Sequence, residues 1–393
     1  MQRALKTVRY LRELGWQPKV LTVSPRAYAK TTDGQLAEIP ADVPVHRAFG
    51  LETTRHFAFR GRYIGAMSWP DPWVSWWPHA VWTGRRMLRE YRPSAIWSTF
   101  PICTAKMIAL SLAKTSGLPW VADFRDPMSM EGYPADPWRF KWARKIEAAT
   151  IARASRVVFT AEYTRKMYRK RYPSLGERAL LIPNGFDDAN FPTVASTGDP
   201  KDPERRLHIV HSGAMQPEGR NPEAFFSALA ELKQDGVVDS GNLRITLRAC
   251  SYPHLYEPLT ERYGVSDIVE FGDYLPYDDA IREMVSADGL LLFQGTVYNH
   301  AVPAKLYEYL NAQAPVFGLV DSRGETASVL KSLRINDVAD IASKDEIVAN
   351  FRHYVTSVRN GNVQPPSGDE LLRFSRREQV KTLSGIIEGL IGP

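Results

Sequence analysis

One segment in the second half of the chain has the features of an anion-binding site. Residues 289–293 form a short apolar run that predicts a buried strand, a polar loop follows, and Val302 and Pro303 open a helical pattern. Proline suits the first turn of a helix, where its missing N–H is not needed, and the free N–H groups of a helix start favour a diphosphate. Glu308, about one turn further on, offers two oxygens to the hydroxyls of a ribose. An exposed glutamate without any ligand is the alternative, because strand–loop–helix segments are common.

A second candidate site lies where the first strand-like run of this half ends. Gly213 follows His211 and Ser212, and Arg220 comes seven residues later, just before another helical pattern. Glycine lets a backbone approach a ligand closely, and the guanidinium of arginine can hold a phosphate through two parallel hydrogen bonds. An ordinary turn glycine beside a surface arginine is the alternative.

A third candidate lies in the first half, where a strand-like run over residues 120–124 leads into a charged loop. Asp123, Arg125 and Asp126 occupy the carboxyl end of this run. They could contact a sugar or an acceptor there. A buried Arg–Asp pair that only orients the loop is the alternative.

Metal-binding and nucleophile motifs are missing from the sequence. The two cysteines, Cys103 and Cys250, are far apart in apolar surroundings. This spacing excludes a disulfide framework and a cysteine-based zinc site, and it fits a reducing compartment. We expect both to be buried as small hydrophobic side chains.

The elements that must position these residues alternate between short β-rich runs and longer helical patterns, which is typical of parallel α/β sheets. A chain of 393 residues predicts two domains. We expect a first domain at 1–191, a linker at 192–205, a second domain at 206–368, and a last helix at about 369–390 that packs back on the first domain. The predicted strands are 19–23, 95–98, 120–124, 156–159 and 179–182, then 207–211, 243–247, 268–271, 289–293 and 315–319. The predicted helices include 2–14, 103–115, 138–154, 222–234, 277–286 and 304–312. Two doubly wound sheets of this kind bind ligands at the carboxyl ends of their strands, in the cleft where the two domains face each other.

Charge and tryptophan are unevenly distributed. Between Arg139 and Arg171 there are eleven Lys or Arg residues and two acids, so this segment could face nucleic acid, anionic lipid or an anionic substrate, or be a solvated helix face. Five tryptophans lie between Trp69 and Trp82, and three arginines follow. They predict either ordinary core packing or a helix at a membrane interface. No apolar run approaches the ~20 residues of a membrane span, and no signal peptide opens the chain, so we expect a cytoplasmic protein, with the inner face of the plasma membrane as a possible site.

Four runs in order along the chain resemble the retaining glycosyltransferases of the GT-B fold, in the family-4 group that builds bacterial surface polysaccharides. They are LPWVADFRDP at 118–127, IPNGFD at 182–187, VEFGDYLP at 269–276 and VPAKLYEYL at 302–310. The resemblance implies two Rossmann-like domains and transfer of a sugar from a nucleotide-diphosphate sugar to a hydroxyl of a glycan or lipid-linked acceptor. It also implies retention at the anomeric carbon, with no metal or other cofactor.

The resemblance also implies roles for individual residues. Glu308 would hold the donor ribose, Tyr274 the nucleobase, and Arg220, near Gly213, a phosphate. Arg125 and Asp126 would be the catalytic pair beside the transferred sugar. The helix start that faces the diphosphate comprises Val302, Pro303, Ala304 and Lys305.

Three positions depart from the family pattern. His300 stands where the family has a glutamate that contacts the sugar, Ala214 replaces a phosphate-binding arginine, and Arg125 replaces a histidine. These departures leave the donor sugar open. Two other functions on the same fold also stay open, namely a nucleotide-sugar epimerase and a non-catalytic scaffold for polysaccharide assembly. Nucleic-acid binding is disfavoured, because no stacking aromatic pattern of a recognised fold accompanies the basic segment.

The beginning of the chain is unusual for a Rossmann-like domain. The helical pattern at residues 2–14 comes before the first strand-like run, although such a domain opens with a strand and a glycine-rich turn. We therefore expect the chain to be short at its N-terminus and the first domain to lack its opening strand, which would leave a gap in the sheet and impair activity.

Overall fold

The computed structural model describes residues 2–28, 38–60, 62–187 and 205–392. The chain divides into two compact units: Met1–Pro183 with Arg376–Pro393 form unit 1, and Asn184–Ser375 form unit 2. The linker predicted at residues 192–205 falls outside the described residues except for its last position.

Helices and strands alternate along most of the chain, as the sequence pattern predicts. The strands are β1 Val20–Val23, β2 Val45–Ala48, β3 Ile96–Thr99, β4 Trp120–Phe124, β5 Arg156–Phe159, β6 Ala179–Leu181, β7 Leu207–Ser212, β8 Leu243–Arg248, β9 Val269–Gly272, β10 Gly289–Gln294, β11 Val316–Val320 and β12 Val338–Ala339. The helices are α1 Gln2–Glu13, α2 Thr53–His56, α3 Trp76–Tyr91, α4 Cys103–Ser116, α5 Pro137–Arg153, α6 Glu162–Arg171, α7 Glu223–Gln234, α8 Pro253–Arg262, α9 Tyr277–Ser286, α10 Ala304–Ala312, α11 Glu325–Ser332, α12 Lys344–Arg359, α13 Gly368–Leu371 and α14 Arg376–Ile391.

Unit 1 holds its strands in two separate parallel sheets. One pairs β1 with β2, and the other has the order β3-β4-β5-β6. Among the described residues no strand joins the two sheets, so β1 and β3 each keep one edge without a strand neighbour.

Helices cover both faces of the four-stranded sheet of unit 1. Along β4, Trp120, Ala122 and Phe124 pack with residues of α4, α5 and α6 in one core cluster. Val121 points to the opposite face and packs with Leu383 and Ile387 of α14. α14 also lies against α1, since Arg377 Nη2 and Glu13 Oε2 are 2.9 Å apart.

The helix predicted over residues 369–390 is interrupted. α13 ends at Leu371, α14 begins at Arg376, and between them the ring of Phe374 packs 5.0 Å from the ring of Tyr307. Phe374 is buried in unit 2, whereas α14 belongs to unit 1. The helical pattern breaks where the chain passes from one core to the other.

Unit 2 is a six-stranded parallel sheet with the order β12-β11-β10-β7-β8-β9. The chain runs outward from β7 to β9 and then continues on the other side of β7 with β10, so the direction of winding reverses between β7 and β10. Such a switch point opens a crevice at the carboxyl ends of the strands. One sheet face packs against α7 and α12, and the other against α9 and α10.

Cysteine placement differs in part from the expectation. Cys103 is buried at the start of α4, whereas Cys250 is only half-buried, and neither forms a disulfide. Cys250 directly follows Ala249, which has a positive φ of 58° just after β8, so the chain turns toward the surface there.

Candidate functional site

The candidate site of unit 2 lies at the switch point, where the loops after β7 and β10 meet the start of α10. Gly213 follows β7, and its N–H donates to Arg248 O at 3.0 Å. A Cβ placed on Gly213 would lie 3.7 Å from Lys305 Cγ and 3.8 Å from His211 Nε2. The structure therefore brings Gly213 and Lys305, which are far apart in sequence, into contact.

The start of α10 has no side-chain cap among the described residues. Pro303 is the N-cap residue, with φ −64° and ψ 138°, and its side chain has no group that could accept from the first turn. Val302 is buried beneath it and Ala304 is exposed. Helix geometry leaves the leading N–H groups without partners inside the helix, so this end is suited to an anion.

Glu308 lies one turn into α10 and faces the same side as Lys305. Glu308 Oε2 is 2.9 Å from Lys305 Nζ, and the Glu308 side chain is 19% exposed. Oε2 has no well-aligned hydrogen bond, so the contact is an ion pair in which the geometry of a hydrogen bond is poor. The carboxylate is held close to the helix start, with acceptor capacity left for a ligand.

Arg220 is half-buried and is oriented only by neutral groups. Its Nε and Nη2 donate to Gln294 Oε1 at 3.2 and 3.0 Å, and its Nη1 donates to Ala214 O at 3.2 Å. The guanidinium also lies over the ring of Tyr298, 4.8 Å from the centroid. Burial lowers the pKa of Arg220. No carboxylate of the described residues pairs with it, so its positive charge is available to an anionic ligand.

The loop that leads into α10 is fixed at both ends. Gly295 N donates to Gly219 O at 2.7 Å, and Tyr298 Oη donates to Gln216 Oε1. A Cβ on Gly219 would stand 2.9 Å from Tyr298 Cε2, so only glycine fits there without displacing the ring. His300 is half-buried in the same loop.

Two residues of this site escaped sequence reasoning. His211 is 4% exposed; its Nδ1 donates to Leu291 O at 2.9 Å, and its Nε2 has no hydrogen-bond partner among the described residues. Burial, together with a smaller effect of the nearby Arg220 charge, lowers the pKa of His211 to about 4. Tyr309 is fully buried, and its Oη accepts from Ser212 N at 2.8 Å. Only the position of His211 at a strand end could have signalled its part in the site.

Tyr274 does not contact the other residues of the unit 2 site in the described parts of the chain. It follows β9, and its ring is 79% exposed. No hydrogen bond or ring contact within the described parts of the chain joins it to Gly213 or α10.

The candidate site of unit 1 is organised by Arg3 rather than by Arg125. Asp123 is 1% exposed, and its two carboxylate oxygens accept from Arg3 Nε and Nη2 at 2.9 and 3.1 Å. Thr99 Oγ1 also donates to Asp123, at 2.9 Å. The alternative of a buried Arg–Asp pair is thus realised, but the arginine comes from α1. Arg125 is half-buried with an unpartnered Nε, and Asp126 is exposed.

Lys106 was also missed by sequence reasoning. It is completely buried, and its Nζ donates to Ser98 O at 2.7 Å and to Asp123 O at 2.8 Å. Burial lowers the pKa of Lys106 to about 7. A lysine on a helix is normally expected at the surface, so no sequence signal placed it here.

The described residues offer neither a metal-binding cluster nor a helix that could span a membrane. Among them, no three His, Cys, Asp or Glu side chains are grouped so as to hold a metal ion. In the same part of the chain, no helix has both the length and the apolar character needed to cross a membrane.

The chain is similar to known glycosyltransferases in the sequence of its first half and in its fold. Residues 2–185 match the family model of the glycosyl transferase 4-like domain. Anabaena HepE in complex with UDP and glucose superposes with a TM-score of 0.64 at 13% identity, over 99% of this chain and 95% of that one. A glycosyltransferase from Rickettsia africae gives a TM-score of 0.66 at 11% identity, over 99% and 94% of the two chains. WaaG, a glycosyltransferase involved in lipopolysaccharide biosynthesis, gives 0.61 at 15% identity, over 99% and 95%. No curated protein sequence matches the chain.

The comparisons confirm the fold class. The chain has the α/β architecture of the GT-B glycosyltransferases over nearly its whole length, with one parallel α/β unit in each half.

Proposed function

We propose that this GT-B glycosyltransferase, with its glycosyl transferase 4-like domain at residues 2–185, moves a sugar from a nucleotide-diphosphate sugar to a hydroxyl of a glycan or lipid-linked acceptor. The observation that carries the donor assignment is the contact between Gly213 and the uncapped start of α10, where Lys305 and Glu308 lie. The neighbour HepE, which carries UDP-glucose in one structure, supports a donor of this class.

The charges of the unit 2 site suit a diphosphate. The charges of Lys305 and Glu308 nearly cancel each other, Arg220 has no compensating carboxylate in the described part of the chain, and the helix start adds about half a positive charge. When a diphosphate binds, we expect Lys305 to turn from Glu308 toward the phosphates. Glu308 is then free to accept hydrogen bonds from the ribose hydroxyls.

Arg220 would stabilise the leaving diphosphate. Gln294 and Ala214 already hold its guanidinium in place, so little reorganisation is needed when negative charge develops on the leaving group. Preorganised cations of this kind usually supply a large part of the stabilisation of such a transition state.

The other proposed donor contacts are assigned from where the residues lie in the fold. His300, in the loop that leads into α10, would contact the sugar, and the exposed ring of Tyr274 would offer a stacking surface to the nucleobase. In unit 1, Arg125 and Asp126 would contact the transferred sugar as the catalytic pair. Retention at the anomeric carbon, turnover without a metal, a role in surface polysaccharide synthesis and a cytoplasmic location complete the proposal.

The test incubates the purified chain with UDP-, GDP- and ADP-sugars, with and without glycan and lipid-linked acceptors. A glycosylated acceptor, with an anomeric configuration that NMR shows to match the donor, is the expected result. Asp126→Ala should abolish transfer but leave binding of the nucleoside diphosphate unchanged, whereas Glu131→Ala, which changes an exposed carboxylate five residues further along, should preserve both. Isomerised donor without acceptor would indicate an epimerase instead, and failure to bind any donor would indicate a scaffold.

A further inference from the structure

The outward face of α5 carries tryptophan and lysine in alternation. Trp138, Lys141, Trp142 and Lys145 recur at helical spacing and so lie on one side of the helix. The two indoles are 52% and 36% exposed, and both lysines are exposed. Their ammonium groups lie over the Trp138 and Trp142 rings, 5.1 and 5.0 Å from the centroids. Neither lysine has an ion-pair partner within the described ranges, so nothing in this part of the chain neutralises the stripe.

The loop formed by residues 57–60 and 62–69 extends this stripe with apolar side chains. Trp69 stacks on Trp138 with ring centroids 5.1 Å apart, and Arg139 Nη2 donates to Ser68 Oγ at 3.0 Å, so the loop is attached to the start of α5. Phe59 is 76% exposed and Ile64 is 69% exposed. The loop sequence contains no acidic residue. We call this loop and the α5 stripe together the aromatic–basic face.

The tryptophan-rich segment around α3 divides between core and surface. Trp76 is 6% exposed in the core, and Trp77 Nε1 donates to Ser111 Oγ of α4 at 3.1 Å, so this part of the segment packs against the core. Trp82 is 60% exposed, and the arginines that follow it at helical spacing point outward as well. These exposed arginines of α3 are Arg85, Arg86 and Arg89.

α3, α4 and α5 form one helical layer, with α4 in contact with both of its neighbours. The three helices contain two acidic residues, Glu90 and Glu147. Glu147 is fully buried, and its Oε1 forms an ion pair with Arg171 Nη1 at 2.9 Å. Glu90 Oε2 lies 3.9 Å from Arg86 Nε. Arg171 of the basic segment therefore neutralises a buried carboxylate, and the charge that remains on the outer side of the layer is strongly positive.

We propose that the aromatic–basic face docks the protein on an anionic phospholipid bilayer. Indole rings favour the headgroup region, and exposed lysines attract anionic lipids. Phe59 and Ile64 would lie at the boundary of the acyl chains, as in proteins that bind membranes from one side. A nucleic acid or an anionic polysaccharide would satisfy the lysines, but neither buries two large apolar side chains at the tip of a loop. This inference does not depend on sugar transfer.

The experiment measures flotation of the full-length protein with phosphatidylcholine vesicles, with and without phosphatidylglycerol. Binding should require phosphatidylglycerol and weaken with added salt. Lys141→Gln with Lys145→Gln should lower partitioning about 25-fold, since each cation near an anionic surface is worth about fivefold. Phe59→Ser with Ile64→Ser should lower it at least about tenfold, because the apolar insertion is lost.

Matched controls remove the same groups elsewhere. Lys166→Gln with Lys170→Gln changes two exposed lysines of α6, and Leu255→Ser with Leu372→Ser changes two exposed leucines of unit 2. Both controls should bind like the wild type. The proposal is overturned if the wild type does not float, if neutral vesicles bind equally well, or if a control loses as much as its matched variant. Retention by a polynucleotide or a soluble anionic polysaccharide in place of vesicles would also overturn it. Because flotation needs no donor, failure here leaves the proposed transfer untouched.

Discussion

Replacing Arg220 with glutamine removes the one cation of the unit 2 site that no carboxylate compensates in the described residues. A hydrogen bond between charged groups contributes about 1.5–3 kcal/mol. The affinity for UDP should therefore fall by about 10- to 150-fold. Arg220→Lys keeps the charge but loses the two-pronged geometry, so its affinity should lie between those of the wild type and the glutamine variant.

Titration calorimetry with two ligands separates this role from a general disturbance of the site. Uridine lacks phosphates, so its binding should be nearly the same in the wild type and in Arg220→Gln. Arg262→Gln on α8 changes an arginine that is 69% exposed and should leave both ligands unaffected. An Arg220→Gln protein that binds UDP as the wild type does, or that loses uridine and UDP equally, would refute the phosphate role.

Three further predictions concern packing and protonation. Gly219→Ala should weaken UDP binding in calorimetry, because its Cβ would stand 2.9 Å from Tyr298 and displace the loop that leads into α10. Asp123→Asn should lower the free energy of unfolding, measured with urea, by about 3–5 kcal/mol, because it leaves the buried Arg3 guanidinium without its carboxylate. The wild type should lose about 3 kcal/mol of stability as the pH falls from about 6.5 to about 4, since His211 stays neutral in the folded state but takes up a proton when unfolded; His211→Gln should lack this part of the pH dependence in urea titrations at several pH values.

Each of these three predictions has an experimental outcome that would contradict it. Wild-type UDP affinity in Gly219→Ala would show that the loop adapts to the extra methyl group. Asp126→Asn changes an exposed carboxylate and should cost little stability; an equal loss in both aspartate variants would mean that burial of the Arg3 pair is not the cause. An unchanged pH profile in His211→Gln would assign the acid sensitivity to other groups.

Most strands could be predicted because buried parallel strands read as short apolar runs. Residues 120–124 and 156–159 were placed at their observed limits. β2 was missed because Pro44 precedes it and its four residues include the polar His46 and Arg47, so it lacks a continuous apolar run. β12 was missed because two residues carry no periodicity.

The donor side of the candidate site could be predicted further than the unit 1 side. The features of a helix start come from residues that are close in sequence, so the helix start at Val302 to Glu308 could be recognised from the sequence. The pair of Arg3 with Asp123 joins residues 120 positions apart, and no local pattern reports such a contact. The same holds for Tyr309 and Ser212, whose hydrogen bond links α10 to the end of β7.

The most direct test of the central claim compares nucleoside-diphosphate binding by the wild type and by Glu308→Ala, using UDP, GDP and ADP in titration calorimetry. Removing a carboxylate that accepts from ribose hydroxyls should cost about 1.5–3 kcal/mol, so the preferred nucleotide should bind the variant about 10- to 150-fold more weakly. Glu261→Ala, which changes an exposed glutamate on α8, should bind as the wild type does. Unchanged affinity in Glu308→Ala, or a wild type that binds none of the three nucleotides, would contradict the assignment of the α10 start as the donor site.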